Sequence, residues 1–296
     1  MNKNRPNTAF TLVEIAIVVL IVGILISGIS LGVDLYKDFR ITTAQSLTQN
    51  SRVNRIDGLI LWLEASQKSS FEPSNINDGQ RITKWKNINQ NMLAQDRVLN
   101  DATPTTSTAP IYREGAVSSL PSLEFVPEEE QCLWVRTGYD GASIINSSIY
   151  LLIRTKENWV DTNQPRLLGR LLSVSSYSMW DIRANVLVIA NGNNVYNYVG
   201  TYKIKPTSTV LHELIIDRKN AIHYNIIGDA NSNGVSSSIT DTYSGSHASQ
   251  GLSIRCGGET KASAYFSEII IFDRALNTNE RNDVKNYLIK KWNIKK

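Results

Sequence analysis

From Ile15 to Val33 the chain carries no charged side chain. At 1.5 Å per residue these about 19 residues make about 28 Å of helix, close to the hydrocarbon thickness of a bilayer. The segment predicts one membrane-spanning helix. Beyond it, Leu35, Phe39, Ala44, Leu47 and Val53 drift along one helical face, and no Pro or Gly falls between Asp34 and Asp57. A single helix from about Phe10 to about Arg55, roughly 70 Å long, is therefore expected.

After Gly58 the pattern changes to short runs of Val, Ile, Leu and Tyr separated by Asn, Gly, Ser and Thr clusters. Candidate strands are 58–66, 122–126, 132–137, 149–155, 170–176, 185–192, 212–218, 221–228, 252–256 and 264–274. Ten or so strands without intervening helical periods predict a mainly β fold, an antiparallel two-sheet sandwich or jelly roll. The end reads differently. Asn277 with Glu280 makes a capping-box-like start, and Val284, Tyr287, Leu288 and Trp292 line one side of a short amphipathic helix. Its other side, with Arg281, Lys285, Lys290 and Lys291, is expected to face solvent.

Charge sets the orientation of the span. Lys3 and Arg5 precede it without an acidic residue, while Asp34, Lys37, Asp38 and Arg40 follow it in balance. The positive-inside rule then leaves the N-terminus in the cytoplasm and exports the rest. A secretory signal peptide is the competing reading, although its apolar region is normally shorter and ends in a small-residue cleavage site. The formal charge of +4 falls to +2 without Lys3 and Arg5, which gives no case for nucleic acid as a partner.

Glu14 is the anomaly of the first segment. An ionised carboxylate in a membrane helix costs about 2.5 to 3.5 kcal/mol at the centre and less near an end. No side chain from Phe10 to Val33 is basic, so the expected partner is another chain or a newly made terminal amine. Snorkelling to the headgroups is the alternative. A leader with Lys3 and Arg5, followed by Ala9, Phe10, Thr11, Leu12, Val13, Glu14 and an apolar helix, resembles the prepilin signal of type IV pilins and type II secretion pseudopilins. The resemblance implies a leader of residues 1–9, cleavage between Ala9 and Phe10 by a prepilin peptidase, N-methylation of Phe10, and a helix over 10–56. It further implies that Glu14 meets the terminal amine of a neighbouring subunit in a filament. Ala9 stands where Gly is usual, and Leu31 where many pilins have Pro. Gly23 falls where these helices often carry a glycine, and Gly28 with Gly32 forms a GxxxG spacing suited to close helix packing.

The remainder, 58–296, resembles concanavalin A-like, laminin-G-like jelly rolls. The features that carry this are Trp62, Trp85, Asn100-Asp101-Ala102, Pro110 with Tyr112, Leu120-Pro121-Ser122-Leu123 before Phe125, and Glu268 with Phe272, Arg274, Leu276, Glu280 and Arg281. Laminarinase-like glycosidases of this fold place their carboxylates as Glu-x-Asp-x-x-Glu on one strand. No such run occurs. Glu128, Glu129 and Glu130 are adjacent in a turn, and Glu268 and Asp273 are five apart, so a chain that is not an enzyme is expected.

Cys132 and Cys256 lack the close spacing of a zinc site, and either one disulfide or two buried thiols is open. Asp229, Asn231, Asn233 and Gly234 resemble the opening of a calcium loop, but Thr240 stands where the closing Glu belongs. No cofactor is assigned, with calcium left open. His212, His223 and His247 read as structural or surface residues. The leading expectation is a pilin-like filament subunit, minor or at the tip, displaying a lectin-like sandwich that binds a glycan or protein. Its partners would be other pilin or pseudopilin subunits, the peptidase and the inner membrane. A pseudopilin recognising secretion cargo is the alternative, and a membrane-tethered glycan hydrolase or a DNA-uptake subunit ranks below it.

Overall fold

The computed structural model describes residues 11–106, 108–126, 129–136, 146–156, 166–171, 178–183, 186–190, 196–201, 203–217, 221–228, 230–231, 235–237, 251–256 and 263–295. Helix α1, Leu12–Gln49, opens on a capping box: Thr11 Oγ1 accepts from the Glu14 amide at 3.3 Å, and Glu14 Oε2 accepts from the Thr11 amide at 2.7 Å. The helix ends earlier than the expected Arg55. Asn50 Nδ2 donates back to Ser46 O, Ser51 Oγ accepts from the Val53 amide, and the chain restarts as a 3-10 turn over Arg52–Arg55. Short polar side chains that bond their own backbone offer it an alternative to continued helix.

The strands follow as β1 (Leu59–Glu64), β2 (Phe71–Glu72) and β3 (Lys84–Trp85), then helix α2 (Ala94–Leu99). After it come β4 (Ala102–Pro104), β5 (Ile111–Val117), β6 (Leu120–Phe125), β7 (Leu133–Val135), β8 (Ser147–Thr155), β9 (Arg166–Leu171), β10 (Ser178–Arg183) and β11 (Val186–Ala190). The series ends with β12 (Tyr196–Thr201), β13 (Lys203–Ile204), β14 (Thr209–Asp217), β15 (Ala221–Gly228), β16 (Ala230–Asn231), β17 (Val235–Ser237), β18 (Gly251–Ile254), β19 (Ala264–Phe272) and helix α3 (Thr278–Trp292).

Two antiparallel sheets form the sandwich. The first runs β17-β15-β14-β8-β19-β6-β5, with β1 also paired to β19; the second runs β12-β11-β10-β9-β18-β7-β4-β3-β2. A separate pair joins β13 to β16. Alternation sorts the first sheet's side chains between two cores. Ile149, Leu151, Ile153, Leu214, Ile269 and Ile271 turn inward against Leu133, Leu168, Ile182 and Ile254 of the second sheet. Tyr150, Leu152, Leu211, Ile215, Ile270 and Phe272 turn outward into a second core. Helix α3, the end of α1 and the 3-10 turn after it cover that outer face, contributing Val284, Tyr287, Leu288 and Trp292 together with Ala44, Val53 and Ile56.

Helix α3 begins as its sequence predicts, Asn277 Oδ1 accepting from the Asn279 and Glu280 amides. Its cationic side is not a solvated face. Lys291 is fully buried, and Arg281 and Lys285 clamp the buried Glu213 of β14. Lys291 lies four residues after Tyr287 and seven after Val284, on the face that packs inward.

Candidate functional site

The stem is α1 from Leu12 to about Phe39. It is exposed along its whole apolar length, which is long and apolar enough to cross a membrane. A Cβ built on Gly23, Gly28 or Gly32 would meet no atom within 4 Å, so nothing in this chain requires those glycines. Ala9 and Phe10 lie outside the described residues. Glu14 finds partners in its own helix, the Thr11 amide and the Thr11 hydroxyl at 2.7 and 2.9 Å. Within this chain the carboxylate thus sits at N3 of the helix, where it satisfies orphan donors of its own first turn.

Where the stem meets the sandwich, Lys291 is surrounded by acceptors. Its Nζ donates to Glu64 Oε1 at 2.6 Å, Thr48 Oγ1 at 2.8 Å, and Glu268 Oε2 and Tyr287 OH at 3.0 Å each. Glu64 and Glu268 are themselves a cross-strand pair of β1 and β19. Glu268 accepts further from Trp62 Nε1 at 2.7 Å, Tyr287 OH at 2.8 Å and Trp292 Nε1 at 2.6 Å. Burial raises its carboxyl above the ordinary range and the Glu64 charge adds to this, against the pull of Lys291 and the indole donors. Arg40 completes the joint by donating to Ser118 O and Lys291 O at 3.2 Å each.

The outer face of the second sheet carries the other chemistry. Thr103, Trp134, Ser253, Gly169 and Asp181 stand in one row, each opposite the next across β4, β7, β18, β9 and β10. Leu133 and Val135, flanking Trp134, face the inter-sheet core, so the row points away from it. Trp134 lies half-buried with its ring over Gly251, where a Cβ would come within 2.7 Å of the indole. Asp181 is buried and holds Arg166 Nε at 2.9 Å and Arg183 Nη2 at 3.3 Å. Gly169 leaves room for the Asp181 carboxylate, into which a Cβ would collide. The result is an aromatic wall, a floor of Ser253 and Gly169, and an acid flanked by two guanidinium groups. Sequence spacing alone could not assemble these residues, because register places them together.

Cys132 and Cys256 are bonded, with Cα atoms 4.7 Å apart. They flank Leu133 and Ile254, which pair across β7 and β18, so the bridge closes the end of that ladder. Arg166 Nη1 donates to Cys256 O, tying the bridge to the Asp181 cluster. Of the calcium-like loop, Asp229, Asn233 and Gly234 lie outside the described residues and Asn231 pairs with Lys203 in the β13–β16 ladder. Among the described residues no group of three or more His, Cys, Asp or Glu side chains could hold a metal ion. His212 is buried against Tyr224 OH at 2.6 Å, and burial lowers its pKa to about 3. His223 is half-buried on β15, and His247 lies outside the described residues.

No family model matches the chain, and no curated protein matches it in sequence. Solved structures share its fold. A Trypanosoma rangeli sialidase complexed with 2,3-difluorosialic acid matches with a TM-score of 0.52 at 12% identity, over 79% of this chain and 33% of the sialidase. The binding domain of botulinum neurotoxin serotype G matches with a TM-score of 0.51 at 15% identity, over 78% of this chain and 51% of that one. The binding domain of botulinum neurotoxin DC in complex with SialylT gives 0.52 at 12%, over 78% and 51%. The chain thus spans a third to a half of these relatives, and at such identities the likeness is one of fold.

The likeness corrects the expectation that the chain is not an enzyme. Sialidase chains contain this sandwich, and the exclusion rested on carboxylates spaced along one strand. Register makes such pairs across strands, as Glu64 and Glu268 demonstrate. The chain itself is a long exposed apolar helix joined to a two-sheet antiparallel β-sandwich with a short C-terminal helix.

Proposed function

We propose that the chain is a prepilin-like subunit whose stem anchors it in the inner membrane before joining a filament, and whose exported sandwich binds a glycan ligand. The observation that carries this reading is the stem. An apolar helix exposed from Leu12 to Phe39, its first turn closed by the Thr11–Glu14 capping box, is built onto the sandwich by residues 40–49 alone. Such a surface is stable only in lipid or against other helices. The prepilin resemblance of residues 1–14 supplies the filament, the peptidase cut between Ala9 and Phe10, and the methylation of Phe10. The domains are then a leader over 1–9, a stem over 10–56 and a head over 58–296.

For the ligand, the row from Trp134 to Asp181 supports a sugar-binding face. An indole offers a stacking wall for the apolar side of a pyranose, and the Arg166–Asp181–Arg183 cluster offers fixed polar groups beside it. The sialic-acid and SialylT complexes of the fold relatives fit a glycan as the ligand class.

Two measurements test the reading. In the native cell, Glu14→Leu should leave leader removal intact and abolish filament incorporation; incorporation at wild-type level overturns the filament assignment. The purified full chain on a glycan array should lose binding on Trp134→Ala and keep it on an exposed control such as Asp38→Ala. Binding unaffected by Trp134→Ala overturns the face, and sugar released in the same wells would show turnover.

A further inference from the structure

We propose that the membrane-proximal rim of the sandwich, with Arg154, Lys205, Lys290 and Lys295, together with Lys37 and Arg40 of the adjoining α1, is a docking surface for anionic lipid headgroups of the bilayer that α1 crosses. The inference rests on the reading of α1 as a membrane span.

Direction comes first. Asp283 of α3 meets Arg52, Tyr287 OH meets Thr48 Oγ1 at 3.0 Å, and the Lys291 carbonyl meets Arg40. As α3 advances, α1 recedes, so the two helices are antiparallel and the end of α3 points toward the span. The same end of the sandwich is continued laterally by hydrogen bonds. Ser118 Oγ donates to Trp292 O, Arg154 Nη1 to Ala116 O at 2.8 Å and Arg154 Nε to Thr207 O at 3.2 Å. The tip of the β5–β6 hairpin, the loop Lys205–Ser208 and the residues after Trp292 therefore share one rim.

Height comes second. From Val33, the last residue of the apolar run, to Arg40 is about 10 Å of helix at 1.5 Å per residue. Headgroups add about 5 to 7 Å to each side of the hydrocarbon, and charges act over a Debye length of about 8 Å in physiological salt. The rim thus hangs within reach of the headgroups. Leu35, Tyr36 and Phe39, all more than half exposed, fill the interval at the depth where aromatic side chains anchor to an interface.

Charge comes third. Lys37, Lys205, Lys290 and Lys295 are exposed, and Arg40 and Arg154 are half-buried. Against these six cations the adjoining stem offers Asp34 and Asp38, and the neighbouring Lys156 is neutralised by Glu124. A cationic rim suspended over a lipid surface attracts anionic headgroups by counter-charge alone.

The test uses the full chain reconstituted in vesicles of phosphatidylcholine alone or with phosphatidylglycerol, read by amide hydrogen exchange. Residues 116–119, 205–207 and 292–295 should exchange at least several-fold more slowly with the anionic lipid. The protection should vanish in 0.5 M salt and in Lys205→Glu/Lys290→Glu/Lys295→Glu. Equal exchange in both lipids overturns the proposal. Residues 15–33 serve as the separate arm: their protection in either vesicle upholds the span, so its loss overturns the underlying reading rather than the rim alone.

Discussion

Glu64 and Glu268 stand directly opposite each other across the β1–β19 ladder, both buried, with the Lys291 ammonium 2.6 Å from one and 3.0 Å from the other. Like charges facing across a ladder are destabilising, and burial sharpens the repulsion. The cation from α3 turns a repulsive pair into the point where helix and sheet are joined.

Replacing Lys291 by Met should therefore cost about 3 to 5 kcal/mol, the range for removing one partner of a buried ion pair. The loss should shrink as pH falls through the titration of Glu268, whose carboxyl burial holds above the ordinary range, because the protonated acid no longer needs the cation. Urea unfolding of wild type and variant at pH 7 and pH 4.5 checks this; a loss that does not depend on pH would contradict it.

Glu268→Gln tests hydrogen bonding rather than volume. Trp62, Trp292 and Lys291 can only donate to the Glu268 carboxylate, Trp62 at Oε1 and the other two at Oε2, so an amide nitrogen at either oxygen's place faces a donor. A cost of about 2 to 4 kcal/mol is expected despite the matched shape. A variant as stable as wild type would show the site to be looser than drawn.

Acid should destabilise the head through His212. Burial holds its folded pKa at about 3, below the ordinary value of 6.5, so the neutral form is favoured by folding. Its contribution is complete above pH 6.5 and is lost as pH falls toward 3, amounting to about 2 kcal/mol by pH 5. The raised carboxyl of Glu268 works in the opposite sense but is common to both proteins, so the difference between wild type and variant, compared at pH 7 and 5, isolates His212. His212→Gln should lose less stability than wild type over that interval in thermal unfolding.

The Cys132–Cys256 bridge encloses a sequence separation of 124 residues, for which chain entropy gives about 5 kcal/mol. Reduction, or Cys132→Ala/Cys256→Ala, should lower stability by an amount of this order, measured by denaturant midpoints with and without reductant. Sugar binding should weaken in parallel, since Cys256 O holds Arg166 beside Asp181.

Elements whose side chains follow one period were legible in the sequence. The apolar stem, the strands around Trp62 and Glu268, and α3 with its Asn277 cap fall where periodicity and capping place them. Strand β5 and strand β10 lie outside the expected set, since Arg113-Glu114-Gly115 interrupts one alternation and Ser178 to Arg183 shows no clean one. The buried clusters were hidden for a different reason. Lys291 looks like any surface lysine until Glu64 and Glu268 are brought together, and Asp181 gains its meaning only from Gly169 and Arg166 of the neighbouring strand and from Arg183 two residues along its own. A signal existed for Lys291, whose spacing from Val284 and Tyr287 puts it on the apolar side.

The antiparallel seating of α1 on α3 fixes how the molecule answers tension. A pull along the stem slides one helix past the other, so Arg40, Thr48 and Arg52 must yield together rather than in succession. Shear of this kind loads these contacts at once, before the tension reaches β1 and its ladder with β19. A head held at the end of such a tether meets the first strain at the helix joint, ahead of its sheets.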